Sequence, residues 1–120
     1  MMASMVTQPP CADEVVIEHA KKLKAIGHPV RLRLLCLIER QEDPCVSDLW
    51  KCLKQPQPVI SQHLAILKQS GIVSAEVHRT RRVYSISDAF IKSVIRSIVD
   101  TIPNIGDPVA DAPLIGKPLA

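Results

Sequence analysis

Aromatic side chains are almost absent: Trp50, Tyr84 and Phe90 are the only ones in 120 residues. A chain that is still 47% hydrophobic must then build its core from aliphatic groups. Glycine is scarce as well, four in all, and no Gly-rich loop of the kind that cradles phosphates can be drawn. Nor are there paired carboxylates at a motif spacing, so an enzyme is not expected. No window approaches the roughly 18 successive apolar residues of a membrane span, and the N-terminus lacks a basic region followed by a hydrophobic run. The expectation is a cytoplasmic protein with no membrane association. Cys11, Cys36, Cys45 and Cys52 are then expected to be reduced, either as packing groups or as thiolates for sensing and metal binding.

The net charge of +3 is mild, but its distribution is uneven. Lys54, Lys68, Arg79, Arg81, Arg82, Lys92 and Arg96 face only Glu76 and Asp88 across residues 54–96. Inside that region lies the stretch around which the chain is organised, residues 53–73, LKQPQPVISQHLAILKQSGIV. It predicts a helix over about 56–70, with proline at its first position, where the backbone N–H has no intrahelical partner, and Gly71 as a left-handed stop. At 100° per residue Ile60, Leu64 and Leu67 share one arc, which must be buried. Gln57, Ser61, Gln62, Lys68 and Gln69 share the opposite arc, with only Pro58 and Ala65 between them. Amides and hydroxyls at successive turns can donate to and accept from base edges, whereas a carboxylate would be repelled by phosphate.

The flanking chain supplies the scaffold. Residues 1–12 read as a flexible arm. Residues 13–26 predict a helix with a broad apolar side of Val16, Ala20, Leu23 and Ile26, flanked by Val15 and Ile17, and charges that follow its dipole. Gly27-His28-Pro29 breaks it, and a second helix runs to about 41 with Leu32, Leu35 and Ile38 as its stripe. A short helix is expected over about 46–53. After Gly71 the period changes to two: Val73, Ala75 and Val77 alternate with polar residues, and residues 82–86 return as a second strand. The tip of this hairpin carries Arg79, Arg81 and Arg82. Ser87 and Asp88 cap a last helix to about 101, with Phe90, Val94, Ile95, Ile98 and Ile102 apolar. Prolines 103, 108, 113 and 118 mark residues 103–120 as a disordered tail.

A mainly α domain over 13–102 with a small β-hairpin, and a polar helix entered by a tight turn, is a winged helix-turn-helix. The hairpin arginines are placed to reach phosphates or the minor groove beside the polar helix. The first and last helices are too apolar to be single-sided surface helices, which implies a symmetric homodimer meeting successive major grooves of double-stranded DNA at an inverted repeat. A reading of another class keeps the fold but makes it a protein–protein interaction module whose basic wing serves an acidic partner.

Four segments also strongly resemble the ArsR/SmtB family of bacterial repressors: LKAIGHPVRLRLLCLI (23–38), CVSDLWKCL (45–53), QPVISQHLAILKQSGIV (57–73) and RRVYSI (81–86). The resemblance implies a homodimeric DNA-binding repressor released from an inverted-repeat operator by an effector, often a metal ion or arsenite. It maps the recognition positions onto Gln57, Pro58, Ser61, Gln62 and His63, and the wing onto residues 78–82. By the wheel, His63 sits at the edge of the buried arc, where packing or hydrogen bonding is favoured over base contact.

Carried over residue by residue, the family's sensor sites are incomplete here. Its cysteine-rich run reads Cys45-Val46-Ser47-Asp48-Leu49-Trp50, retaining only the first thiol. The last-helix zinc positions fall on Asp88, Phe90, Thr101 and Asn104, and the sulfide-sensing pair falls on Cys36 and Pro103. A thiolate site from Cys11, Cys45 and Cys52 is the remaining candidate for arsenite or a soft divalent metal, with no cofactor required. Cys45 and Cys52 would stand about 10 Å apart along one helix, so Cys45 must leave the helix to share an ion at zinc–sulfur distances near 2.3 Å. Thiol redox or sulfide sensing, or no effector at all, are the alternatives. Cys36, beside an apolar stripe, reads as a small buried hydrophobe.

Overall fold

The computed structural model describes residues 13–40, 51 and 53–105. Among these are four helices and one hairpin: α1 (Asp13–Ile26), α2 (Pro29–Arg40), α3 (Gln57–Gln69), β1 (Val73–His78), β2 (Arg81–Ile86) and α4 (Ala89–Thr101). The short helix expected over 46–53 lies outside the described residues except for Lys51 and Leu53, which are helical.

The centre of the domain is α2. His28 caps it twice: its carbonyl accepts from the Leu32 N–H at 2.7 Å, and its Nδ1 accepts from the Val30 N–H at 3.1 Å. These bonds satisfy donors that a helix start would otherwise leave orphaned. Five successive residues, Leu34 to Ile38, are buried, so α2 is enclosed by α1, α3, α4 and β2 and is not a one-sided stripe. Leu32, expected in that stripe, is only half-buried.

Helix α3 begins one residue later than the sequence suggests. Pro56 is its N-cap, with its carbonyl accepting from Val59 and Ile60, and Pro58 stands within the first turn, where no donor is needed. The other end is a Schellman cap. The Ile72 N–H donates to the Leu67 carbonyl and the Gly71 N–H to the Lys68 carbonyl, both at 3.0 Å, with Gly71 at φ 75°. Leu67 and Ile72, the residues such a cap brings together, are both fully buried.

The hairpin pairs Val73 with Ile86 at its base and His78 with Arg81 at its tip. Its base is fastened to the end of α3, since the Ile72 carbonyl accepts from the Ser87 N–H at 2.8 Å and the Gly71 carbonyl from the Ser87 hydroxyl at 3.2 Å. The alternation expected of β1 holds only near this base. Val73 is buried, but Val77 is 66% exposed, because the outer hairpin extends past the body it packs on.

Asp88 caps α4, accepting from the Ile91 N–H at 2.9 Å. Ile91 and Ile95 are the buried residues of α4; Ile91 is not among the apolar positions read from the sequence. Glu39 of α2 binds Lys92 at 3.2 Å and Arg96 at 3.6 Å. Beyond α4 the Ile105 carbonyl accepts from Arg33 Nη1 at 3.3 Å, and Ile105 packs against the core. The broad apolar side of α1 is largely uncovered: Val15, Val16, Ile17 and Leu23 are exposed, and only Ile26 is buried. No helix among the described residues is long and apolar enough to cross a membrane.

Candidate nucleic-acid interface

Burial along α3 follows its two arcs. Ile60, Leu64 and Leu67 are 0–2% exposed, while Gln57, Pro58, Ser61, Gln62, Ala65, Lys68 and Gln69 are all exposed. Burying the aliphatic arc fixes the rotation of the helix, and with it the direction of every polar group on the other side.

Between that side and the hairpin runs an open cleft of about 330 Å³, lined by Gln57, Ser61, Ala65 and Lys68 of α3 and by Arg82 and Tyr84 of β2, with Leu64 at its floor. Tyr84 is nearly buried. It stands opposite Ala75, and Arg82 stands opposite Val77. Residues two apart on a strand share a face, so Tyr84 and Arg82 line the cleft from the same side. Among the described residues the cleft holds two cations and no carboxylate. Phosphate would be attracted there and base edges would find amide and hydroxyl partners.

The hairpin tip is exposed, with Arg79, Arg81 and Arg82 all on the surface. Arg79 adopts φ 63°, a left-handed conformation that costs a non-glycine residue about 1 kcal/mol. Glu76 accepts from or pairs with His78 at 3.2 Å, so the carboxylate on the outer hairpin is already engaged.

His63 points elsewhere. It is half-buried, and its ring lies against that of His28 at a centroid distance of 4.6 Å and a 40° tilt. Its Nδ1 is sealed with no partner among the described residues. Burial, the adjacent His28 and Arg31 lower the pKa of His63, and burial and Arg31 lower that of His28. Both shifts favour the neutral ring. The sequence marks Gly27-His28-Pro29 as the boundary between α1 and α2, but the place of the His28 ring beside His63 escaped it. Tyr84 escaped as well, and its place in the alternating strand was the available clue.

Cys11, Cys45 and Cys52 lie outside the described residues. Cys36 is a fully buried free thiol; burial raises its pKa, with Arg33 and Arg40 acting in the opposite sense. Asp88, Phe90, Thr101 and Asn104 form no metal-binding cluster, and no group of three or more potential ligands occurs among the described residues.

Residues 28–75 match the family described as bacterial regulatory protein, arsR family. An uncharacterised HTH-type transcriptional regulator of Methanocaldococcus jannaschii is 42% identical over 79 residues, which is 66% of this chain and 89% of that protein. The chain belongs to the ArsR family. Other members include the HTH-type transcriptional repressor SmtB of Mycobacterium tuberculosis, 30% identical over 94 residues, 78% of this chain and 67% of that one. The arsenical resistance operon repressor of Escherichia coli is 40% identical over 50 residues, covering 42% and 43%. The fold also matches a homodimeric winged helix-turn-helix DNA-binding domain from Mycobacterium bovis, with a TM-score of 0.64, 24% identity and coverage of 81% and 86%. This ArsR-family chain is thus a winged helix-turn-helix transcriptional repressor that binds DNA, and not an enzyme. The matched segment runs from the cap of α2 through α3 into β1, so it contains the exposed polar arc.

Proposed function

We propose that two copies of this chain form a symmetric homodimer in the cytoplasm that binds an inverted-repeat operator. The outer arc of α3 reads the major groove through Gln57, Ser61 and Gln62, with Pro58 shaping the approach. Lys68 and Arg82 hold backbone phosphate at the cleft, and Arg79 and Arg81 reach phosphate or the adjacent minor groove. The single observation that carries this reading is the carboxylate-free cleft between the exposed arc of α3 and the hairpin. The uncovered apolar side of α1 supports the dimer. The first and last helices supply its interface.

The effector half of the proposal is a thiol-directed signal. Cys11, Cys45 and Cys52 bind arsenite or a soft divalent metal, and occupancy weakens operator binding. The kinship with an arsenical resistance operon repressor supports this choice. Cys36 is not part of it, because a buried thiol with a raised pKa supplies little thiolate. The test is binding of the reduced protein to the duplex upstream of its own gene, titrated with arsenite, zinc and cadmium and repeated with Cys45→Ser. Loss of specific binding on arsenite or metal addition, abolished by the substitution, is the expected result. Specific binding indifferent to all three refutes the effector assignment and leaves the DNA reading intact; a covalent mass gain on peroxide or persulfide treatment that tracks release would put thiol redox in its place.

A further inference from the structure

The pair His28–His63 joins the two helices whose relative position decides how α3 meets DNA. His28 is the cap of α2, and His63 is on α3 between the buried and exposed arcs. Their rings touch at 4.6 Å. Three features make this contact depend on both rings being uncharged. His28 Nδ1 accepts from the Val30 N–H, which a protonated nitrogen cannot do. His63 Nδ1 is sealed without a partner, so a proton placed there meets no acceptor among the described residues. The charged group acting on both rings is Arg31, whose own Nε is sealed and unpartnered, and no carboxylate among the described residues offsets it. A cation at His28 would also stand at the N-terminus of α2, the unfavourable end of the helix dipole.

We propose that His28 and His63 are positioning residues for the recognition helix, holding α3 in its DNA-reading orientation only while both rings are neutral, so that operator affinity falls with acidification before the domain unfolds. This rests on the assignment of α3 as the reading helix. Three effects of protonation fall on the α2–α3 contact: the Val30 N–H loses its acceptor on His28 Nδ1, two cations are set face to face, and Arg31 repels both. Most of the core lies away from this pair and is aliphatic, so it is indifferent to pH. On the wing, His78 stands beside Glu76 at 3.2 Å; a cation there would strengthen phosphate contact, an effect of the opposite sign.

The experiment measures the affinity of the full-length protein for a duplex that it selects from a random-sequence library, at about pH 8 and about pH 5.5. Circular dichroism at each pH confirms that the fold persists. The readout is the ratio of the two affinities within each protein, so any pH-independent change of affinity in a variant cancels. One proton linked to binding changes affinity up to about tenfold per pH unit, and wild type is expected to lose about that factor. His63→Phe keeps the ring contact, removes the sealed nitrogen and cannot titrate; its ratio is expected to be flat. His28→Asn keeps an acceptor for the Val30 N–H, and its loss is expected to be smaller than that of wild type. A wild-type affinity that is level or rises on acidification while the fold persists overturns the proposal, as does a His63→Phe ratio equal to that of wild type. Should His63→Phe fail to fold, NMR titration of the wild-type imidazoles decides. His63 is expected to titrate below its ordinary value with accompanying shifts of α3 amides, and titration without those shifts overturns the proposal. Absence of duplex binding at pH 8 would instead strike at the reading-helix assignment.

Discussion

Lys22 of α1 reaches Asp88 at the start of α4, Nζ to Oδ2, at 2.7 Å, while the other carboxylate oxygen of Asp88 accepts from the Ile91 N–H at 2.9 Å. One side chain thus caps α4 and fastens α1 to it. The Lys22 bond, with the Ile91 and Phe90 N–H groups also contributing, holds the Asp88 carboxyl below its usual range, against the opposing effect of burial. Asp88→Ala is expected to cost about 1 kcal/mol through loss of the cap. Asp88→Asn retains an acceptor and is expected to cost less. Thermal unfolding at neutral pH ranks the two.

The same carboxyl gives a pH dependence. Its pKa in the folded chain lies below its unfolded value, so its contribution is complete above the ordinary carboxylate pKa and is lost as pH falls through the depressed folded value. The histidine pair acts over a higher window. Its folded pKa values are also lowered, so stability is greatest above the ordinary histidine pKa and declines as pH falls from there towards the folded values. Denaturant titrations across pH should show two separate declines in wild type. His63→Phe should weaken the upper one and Asp88→Asn should remove the lower.

Gly71 has open space around its missing Cβ, with no atom within 4 Å, yet adopts φ 75°. Gly71→Ala therefore meets no clash and carries only the backbone penalty, about 1 kcal/mol. A loss several times larger, measured by chemical denaturation, would mean that the Schellman cap itself had come apart.

At the hairpin tip, Arg79 occupies a left-handed conformation that glycine adopts without cost. Arg79→Gly is expected to stabilise the isolated domain by about 0.5–1 kcal/mol while weakening duplex binding and reducing its salt slope by about 1. Opposite signs in the melting and binding experiments are the signature of a residue kept for contact and not for the turn.

What the sequence revealed and what it hid have different physical origins. The buried arc of Ile60, Leu64 and Leu67 was legible because one helix face repeats at fixed spacing, and Gly71 was legible because few other residues suit its backbone. The exposure of Val77 was not, since an alternating strand does not say where the body beneath it ends. The wheel favoured packing for His63 over base contact, but its contact with His28 was not legible. That contact joins residues 35 positions apart and arises from tertiary packing alone. The Lys22–Asp88 bond is non-local in the same way. Asp88 was legible as a cap, but its partner on α1 was not.

If α3 reads sequence while the cations beside it hold the backbone, salt and sequence dependence separate the two roles. Affinity for a selected duplex and for a scrambled one is measured across salt concentration for wild type, Arg82→Met, Lys68→Met, Gln57→Ala and Gln62→Ala. The cation variants are expected to weaken both duplexes alike and to lower the salt slope by about 1 each. The glutamine variants are expected to leave the slope unchanged and to narrow the gap between the duplexes by about 1–3 kcal/mol. If none of the four changes duplex binding, α3 is not the reading helix and the cleft beside it is not the DNA site.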